Sequence, residues 1–306
     1  MSLKQIFIPA VVKKQREIVL KKIKVLKKNM LYKRAQRYYR TRESPSFFIQ
    51  PRNFGIEIYS PDGKSVMVKD VEKYKNIVER ISAEANERFL FSKNCIFFGK
   101  NPEKPTRADD SFPELINDMS EIKEKAVRHI FLKEPHTISG LEEMCSELAP
   151  IIEQRIYGSY VQLRHLALPR TPICHLEEEA SMKWHTDNHY RDTIKVMVYL
   201  DDVTEHTAPF TYLRHAVTHM PTKVSAAHPP TYPGSRVPGE IITKHLLCGY
   251  EIHRITGKKG TVILFDNDII HKGVYGKTGY RTALIIEMEP SVRKIDYYIK
   301  EYSSRT

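Results

Sequence analysis

Several features that mark common protein classes are missing from this chain of 306 residues. No run of 18 or more apolar residues occurs, so a membrane-spanning helix is not predicted. The N-terminus lacks the uninterrupted apolar stretch and small-residue cleavage site of a secretory signal. The four cysteines lie far apart and form no CxxC pair, which favours reduced thiols over a disulfide framework or zinc site. We therefore expect a cytoplasmic protein.

Acidic residues are almost absent from the N-terminal part of the chain. Residues 1–42 hold 14 of the 49 Lys and Arg residues but a single acid, Glu17, whereas the rest of the chain is nearly neutral. Apolar residues from Val12 to Met30 recur at helical spacing, which predicts a basic amphipathic arm. Through residues 13–42 this arm could pack as a helix, lie on an anionic membrane surface as a peripheral contact, or bind nucleic acid. The sequence leaves these three alternatives open.

Residues 43–157 are predicted to form a mostly helical N-terminal region. Apolar residues recur on one side of three segments, which predicts helices at about 71–91, 113–130 and 139–156. We expect these helices to pack against a β core formed by the following part of the chain.

Residues 158–290 hold eight or so short strand patterns, one of them at 241–247, with no long helix between them. This pattern favours a jelly roll, or double-stranded β-helix, over a βαβ sheet. A Pro- and Gly-rich insert at 221–240 is predicted to be a lid-like loop, and residues 291–306 form a C-terminal tail. The predicted fold class is mainly β with helices (α+β), with a cupin-like core and an N-terminal helical region.

Two segments of this core carry potential metal ligands beside strand patterns. His185 and Asp187 precede the apolar run at 193–200, and His271 follows the strand pattern at 260–265. Side chains two residues apart at the end of a strand point to the same side. Two histidines and one carboxylate are the ligands of a mononuclear non-haem Fe(II) site that leaves coordination positions open. We expect His185, Asp187 and His271 to bind iron and to be the catalytic residues.

Four further residues are candidates for binding a cosubstrate. Arg281 stands at the start of the last apolar strand pattern, where its guanidinium could pair with the far carboxylate of 2-oxoglutarate. Thr193 and Met197 share one face of the strand at 193–200 with Lys195 and are predicted to line the same pocket. Arg164, on the strand before the metal ligands, could meet the other end of the ligand.

Four ordered segments resemble the phytanoyl-CoA dioxygenase-like family. They are Trp-His-Thr-Asp at 184–187, Val-Tyr-Leu-Asp-Asp-Val-Thr-Glu-His-Thr-Ala-Pro-Phe at 198–210, the histidine-bearing stretch at 212–219, and 260–281. Leu-Arg-His at 213–215 replaces the proline-glycine-serine-histidine stretch usual in the family, the loop from His271 to Arg281 is short, and two single positions also depart from the family pattern. Ala208 stands where the family usually has glycine, and Gly273 stands where a small hydroxyl residue is common.

The resemblance implies a double-stranded β-helix that uses Fe(II), 2-oxoglutarate and O2. It implies His185, Asp187 and His271 as metal ligands, Arg281 as the cosubstrate arginine, and hydroxylation of an organic substrate with release of succinate and CO2. A small-molecule substrate is expected. Two alternatives stay open: a non-catalytic jelly-roll binding module recruited by the arm to a membrane or polyanion, and a dioxygenase that acts on nucleic acid or protein.

Overall fold

The computed structural model describes residues 56–59, 70–98, 129–174, 180–187, 193–222, 236–267, 269–291 and 293–305. The predicted basic arm at 1–42 lies outside the described residues, as does the predicted helix from 113 to 128. Residues 223–235, which are most of the predicted lid, also lie outside them.

A large antiparallel sheet forms the centre of the molecule. Its strands are β1 (Ile56–Tyr59), β2 (Cys95–Phe98), β3 (His129–Leu132), β4 (Val161–Ala167), β5 (Pro169–Thr171), β6 (Ile194–Tyr199), β9 (Val262–Asp266) and β11 (Arg281–Pro290). They follow the spatial order β1-β9-β6-β11-β5-β3-β2, and β4 also pairs with β11. Three strands from the N-terminal region, β1, β2 and β3, thus extend the sheet beyond the strands that follow residue 158.

A smaller sheet faces the large one. It has the order β10-β7-β8 and is built from β7 (Phe210–His215), β8 (Tyr250–Ile255) and β10 (His271–Lys272). Apolar side chains of both sheets pack into one cluster, which includes Met197, Ile263 and Phe265 from the large sheet and Phe210 and Ile255 from the small one. Two antiparallel sheets packed face to face make the jelly-roll core that the sequence predicted.

Strand β11 shows how the sequence divides the two faces of the large sheet. Leu284, Ile286 and Met288 point to the outer face, into the main apolar core. The alternate residues Arg281, Ile285 and Glu287 point to the inner face and line a cavity between the sheets. The near-continuous apolar run of β11 therefore carries two separated charged side chains into the interior.

Among the described residues, three helices pack on the outer face of the large sheet, and a fourth lies beside β8 of the small sheet, where its Ile242 packs against Leu213 and Ile270. The structure has α1 (Val71–Phe89), α2 (Leu141–Ile152), α3 (Gly239–Leu247) and α4 (Tyr298–Ser303), with a π-helical turn at Glu153–Tyr157 after α2. Asp70 caps α1 by accepting a hydrogen bond from the Lys73 backbone N–H. The predicted helices at about 71–91 and 139–156 are confirmed. No helix among the described residues is long and apolar enough to cross a membrane.

Two secondary-structure predictions are wrong. The predicted strand at 241–247 is part of α3, because Ile242 and Leu246 have the four-residue spacing of a helix and only Ile242 in this segment is buried. The predicted helix ending at 130 is contradicted at its last two residues, which begin β3. There, hydrogen bonding to the neighbouring strands β2 and β5 overrides the local helical pattern.

Candidate metal centre

The structure brings His185, Asp187 and His271 together between the two sheets. The Nε2 atom of His185 lies 3.6 Å from Oδ1 of Asp187, and Nε2 of His271 lies 3.2 Å from Oδ2 of Asp187. One ligand atom from each residue lies within 4.8 Å of the others, and the two imidazole rings are 4.3 Å apart. The three side chains can therefore reach one metal ion from residues that are 86 positions apart in sequence.

Backbone hydrogen bonds fix this geometry. His185 and His271 exchange both N–H···O=C bonds, at 2.9 and 3.0 Å, as antiparallel partners. The Asp187 backbone N–H donates to the carbonyl of Asn267 at 2.9 Å. In β10, His271 is also paired with Tyr212 of β7, so the cluster is attached to the small sheet. A ligand set held by strands in this way is preorganised rather than carried on free loops.

Both histidines are oriented by carbonyl groups two residues before them. Nδ1 of His185 lies 2.8 Å from the Lys183 carbonyl, and Nδ1 of His271 lies 3.0 Å from the Ile269 carbonyl. A carbonyl oxygen only accepts, so each Nδ1 carries the hydrogen and each Nε2 presents its lone pair to the cluster. Burial and the neighbouring His271 lower the pKa of His185, which keeps it neutral as a metal ligand must be.

Lys195 on β6 is a charged neighbour of the cluster. Its Nζ atom lies 2.6 Å from Oδ2 of Asp187 and 3.5 Å from Oε1 of Glu287. Burial alone would raise the pKa of Asp187, but the Lys195 ammonium outweighs it and holds that pKa well below its usual range. Asp187 is therefore ionised, and an anionic oxygen with two neutral imidazoles is a donor set that suits Fe(II).

A cavity of about 470 Å³ opens beside the cluster. Three of the four predicted cosubstrate residues, Arg281, Met197 and Arg164, line it. Thr193 does not line it, although it is fully buried immediately before β6. Its hydroxyl has no hydrogen-bond partner among the described residues.

Arg281 lies at one end of the cavity, and its charge is poorly compensated. The side chain is buried, and its Nη2 atom reaches the Thr171 hydroxyl at 3.4 Å. Within the described part of the chain, its Nε and Nη1 atoms have no hydrogen-bond partner. Burial lowers the pKa of this guanidinium. A buried guanidinium with unused donors is costly unless an anion pairs with it, and a carboxylate matches its planar geometry.

Arg164 lies at the other end and is already paired. Its Nη1 atom lies 3.0 Å from Oε2 of Glu289, and its Nε atom lies 3.9 Å from Oε2 of Glu287. Between Glu287 and Met288, one step along β11 corresponds to two residues of β4, which makes Arg164 the extra residue of a β-bulge. The bulge lets the consecutive residues Arg164 and His165 both line the cavity.

Glu287 is the site residue that sequence reasoning missed. It lies on the same face of β11 as Arg281 and Ile285, so the alternation used to place those residues would also have placed Glu287. Thr171 could not be found in this way, because its position depends on the pairing of β5 with β11.

No family model and no curated protein sequence matches this chain. Among solved structures, the chain is similar to the non-heme alpha ketoglutarate dependent carbocyclase SnoK from nogalamycin biosynthesis. The TM-score is 0.50 at 11% identity, over 89% of each chain. This likeness supports the jelly-roll fold. The epimerase SnoN, with a TM-score of 0.49, 13% identity and coverage of 79% of this chain and 81% of SnoN, is also similar. EctD from S. alaskensis is similar as well, with a TM-score of 0.47 and 17% identity over 84% of this chain and 82% of EctD.

The cavity joins the two features that an iron and 2-oxoglutarate site needs. The metal-ligand cluster contributes neutral imidazoles and one carboxylate, and Arg281 contributes unused donors to the same space. Between them the wall is apolar, with Met197 and Ile285 facing each other across β6 and β11. The residues present fit both groups.

Proposed function

We propose that this protein is an Fe(II)- and 2-oxoglutarate-dependent dioxygenase that hydroxylates a small organic molecule. One observation carries the proposal: the His185, Asp187 and His271 cluster and the unsatisfied guanidinium of Arg281 open into one cavity. Either feature alone has a simpler explanation, such as a structural metal site or a strained core arginine. Together they supply complementary partners for a dicarboxylate with an oxo group.

Each residue has a separate task in this reaction. His185, Asp187 and His271 would hold Fe(II), and Arg281 would pair with the far carboxylate of 2-oxoglutarate. When bound, the iron and the cosubstrate supply the oxidative chemistry. Overall, one oxygen atom of O2 enters succinate as 2-oxoglutarate loses CO2, and the other converts a substrate C–H bond to C–OH. The chain orients the partners, and apolar Met197 keeps water from the space between them.

The phytanoyl-CoA dioxygenase-like resemblance is part of the proposal, and one of its departures supports it. Ala208, which replaces the usual glycine, has φ 61°, in the left-handed region that glycine prefers. The departure at position 273 changes a contact. A Cβ atom on Gly273 would lie 2.7 Å from Sδ of Met182, so a hydroxyl side chain does not fit there without a shift. The Thr171 hydroxyl beside Arg281 is the nearby substitute.

The domain limits at 1–42, 43–157, 158–290 and 291–306 and a cytoplasmic location also stay proposals. All four cysteines are free thiols, which suits a reducing compartment. The basic arm would be a peripheral contact to membrane, nucleic acid or protein, and it lies outside the described residues.

The first experiment tests the cofactor pair without a substrate. Fe(II) and then 2-oxoglutarate are added to the purified protein under anaerobic conditions, and the weak visible charge-transfer band of the chelate is recorded. We expect the band in the wild type, its loss in His185→Ala, and a higher 2-oxoglutarate concentration for half-saturation in Arg281→Ala.

Arg293→Ala is the matched control, because Arg293 is exposed and paired only with Glu301 among the described residues. Its band should equal that of the wild type. A folded, metal-loaded wild type that gives no band would disprove the proposed function.

A further inference from the structure

The end of the cavity opposite Arg281 is built from charged residues. Arg281 and Glu287 lie on the same face of β11 and are six residues apart, which is roughly 20 Å of extended strand. Glu287 is the direct cross-strand partner of Lys195 on β6. The metal-ligand cluster lies over this pair, since Lys195 contacts Asp187. The 2-oxoglutarate proposed above would occupy the Arg281 side, so the Lys195 side is left for the primary substrate.

Lys195 and Glu287 are strongly buried for charged residues. Their side chains are 14% and 7% exposed, and both line the cavity. Their separation of 3.5 Å exceeds the 2.7–2.9 Å of a charge-assisted hydrogen bond, and Glu287 is also 3.9 Å from Arg164. The carboxylate of Glu287 thus interacts with both Lys195 and Arg164 at long distances, and it can accept a shorter hydrogen bond from a third cation.

A buried ion pair of this kind is a weak source of stability, because desolvation cancels much of the attraction. The neighbouring pair in the same two strands, Met197 and Ile285, is apolar. An ionic pair in the cavity wall therefore suits recognition better than packing. A metal ion would also share Asp187 with Lys195, which weakens the hold of Asp187 on the lysine.

We propose that Lys195 and Glu287 recognise the primary substrate, and that this substrate is a small zwitterion bearing a protonated amine and a carboxylate. The inference rests on the proposed function, because the metal-ligand cluster defines which end of the cavity receives substrate. The amine pairs with Glu287 and the carboxylate pairs with Lys195. Glu287 repels a purely anionic ligand, Lys195 repels a purely cationic one, and an apolar chain leaves both charges desolvated without partners.

The size of the cavity agrees with this class of ligand. At about 470 Å³ it lies in the lower half of the range of roughly 300–1,000 Å³ for ligand cavities. It must hold 2-oxoglutarate as well as the substrate, so the substrate has few heavy atoms.

The test is a calorimetric titration of the Fe(II)- and 2-oxoglutarate-loaded protein with O2 excluded. The probes are α-, β- and γ-amino acids, their N-acetyl derivatives without the cation, the corresponding amines without the carboxylate, and fatty acids of equal carbon number. We expect binding within the amino-acid set only. Glu287→Gln should weaken it at least tenfold, and Lys195→Met should weaken it similarly.

Glu205→Gln is the matched control, with the same charge change at an exposed carboxylate that pairs with Arg254 and does not line the cavity. It should change affinity less than twofold. Glu287→Asp, which keeps the charge, should bind better than Glu287→Gln, and this separates recognition from misfolding.

The outcomes separate the two proposals. If the chelate band forms but no amino acid binds, or if N-acetyl derivatives, amines or fatty acids bind as well, the zwitterion inference is overturned and the proposed function stands. If amino acids bind equally to wild type and Glu287→Gln, the assigned site is wrong. Absence of the chelate band overturns the proposed function and the inference that rests on it.

Discussion

Replacing Arg281 with methionine should stabilise the protein when 2-oxoglutarate is absent, and this gain over the wild type should disappear when 2-oxoglutarate is present. Arg281 is buried, its Nε and Nη1 atoms have no hydrogen-bond partner among the described residues, and its hydrogen bond to Thr171 is long at 3.4 Å. Methionine has a similar length and no donors. The substitution removes the desolvated charge and leaves the fold of β11 unchanged.

The magnitude follows from the two unused donors. A buried unsatisfied donor costs about 1–3 kcal/mol, so removal of two should raise the free energy of unfolding by about 2 kcal/mol, even after partial hydration from the cavity. With ligand at 100 times its Kd, binding adds about 2.7 kcal/mol to the wild type. A 100-fold weaker Kd in the variant reduces that gain to about 0.4 kcal/mol. With ligand present the variant therefore gains about 2.4 kcal/mol in total against about 2.7 kcal/mol for the wild type, so the two proteins should be nearly equal in stability.

The assay is urea denaturation of both proteins, in the absence of added metal and 2-oxoglutarate and then with saturating Fe(II) and 2-oxoglutarate under anaerobic conditions. Arg293→Met, an exposed arginine paired with Glu301, serves as the control and should shift stability by no more than about 1 kcal/mol in either condition. Arg281 is a structural residue, and the reasoning fails, in either of two cases. The first is that Arg281→Met is less stable than the wild type without ligand, and the second is that 2-oxoglutarate raises the free energy of unfolding of the variant as much as that of the wild type.

Two further predictions concern the scaffold. Burial raises the pKa of Glu153 to about 7, so its contribution to stability is present below its unfolded pKa and is lost as pH rises through about 7. Glu153→Gln should match the wild type at pH 5 and exceed it by about 1–2 kcal/mol at pH 8 in thermal unfolding, and an unchanged pH slope would contradict this. A Cβ atom on Gly276 would lie 1.8 Å from the Gly279 carbonyl oxygen, so Gly276→Ala should cost about 3 kcal/mol or more. Gly279→Ala, which meets only a Thr207 methyl at 3.0 Å, should cost clearly less, and equal melting temperatures would refute the comparison.

The jelly-roll core was predictable because its strands carry clear patterns. Alternation along β11 and the position of Arg281 within it follow from the order of side chains alone. The three candidate metal ligands were predictable for a similar reason: His185 and Asp187 are two residues apart, and each histidine lies beside a strand pattern. Their convergence within 4.8 Å agrees with that expectation.

The structural features that were not predicted depend on the pairing of strands that are distant in sequence. The helix α3 was read as a strand because a run of β-branched and leucine residues carries both periods when it is short. Thr171 enters the site only through the pairing of β5 with β11. The sequence predicted that Arg164 lies near the ligand. Its pairing with Glu289 was not predicted, because it depends on a β-bulge that has no signal in the local sequence. These features are set by which strands become neighbours, and a single sequence does not encode this locally.

The bulge in β4 makes the two strands beside β11 differ in how they accommodate an added or lost residue. From Ala283 to Met288, β11 pairs with β6 in unbroken register, so a one-residue insertion there would turn every inward side chain outward. At Arg164 the register is already interrupted, and an added or lost residue there alters one polar group at the cavity wall while the strands that bear the metal ligands stay in place. A residue added or lost at the bulge can therefore change the polar groups on the Lys195 and Glu287 side of the cavity while the pairing of β6 with β11 is kept.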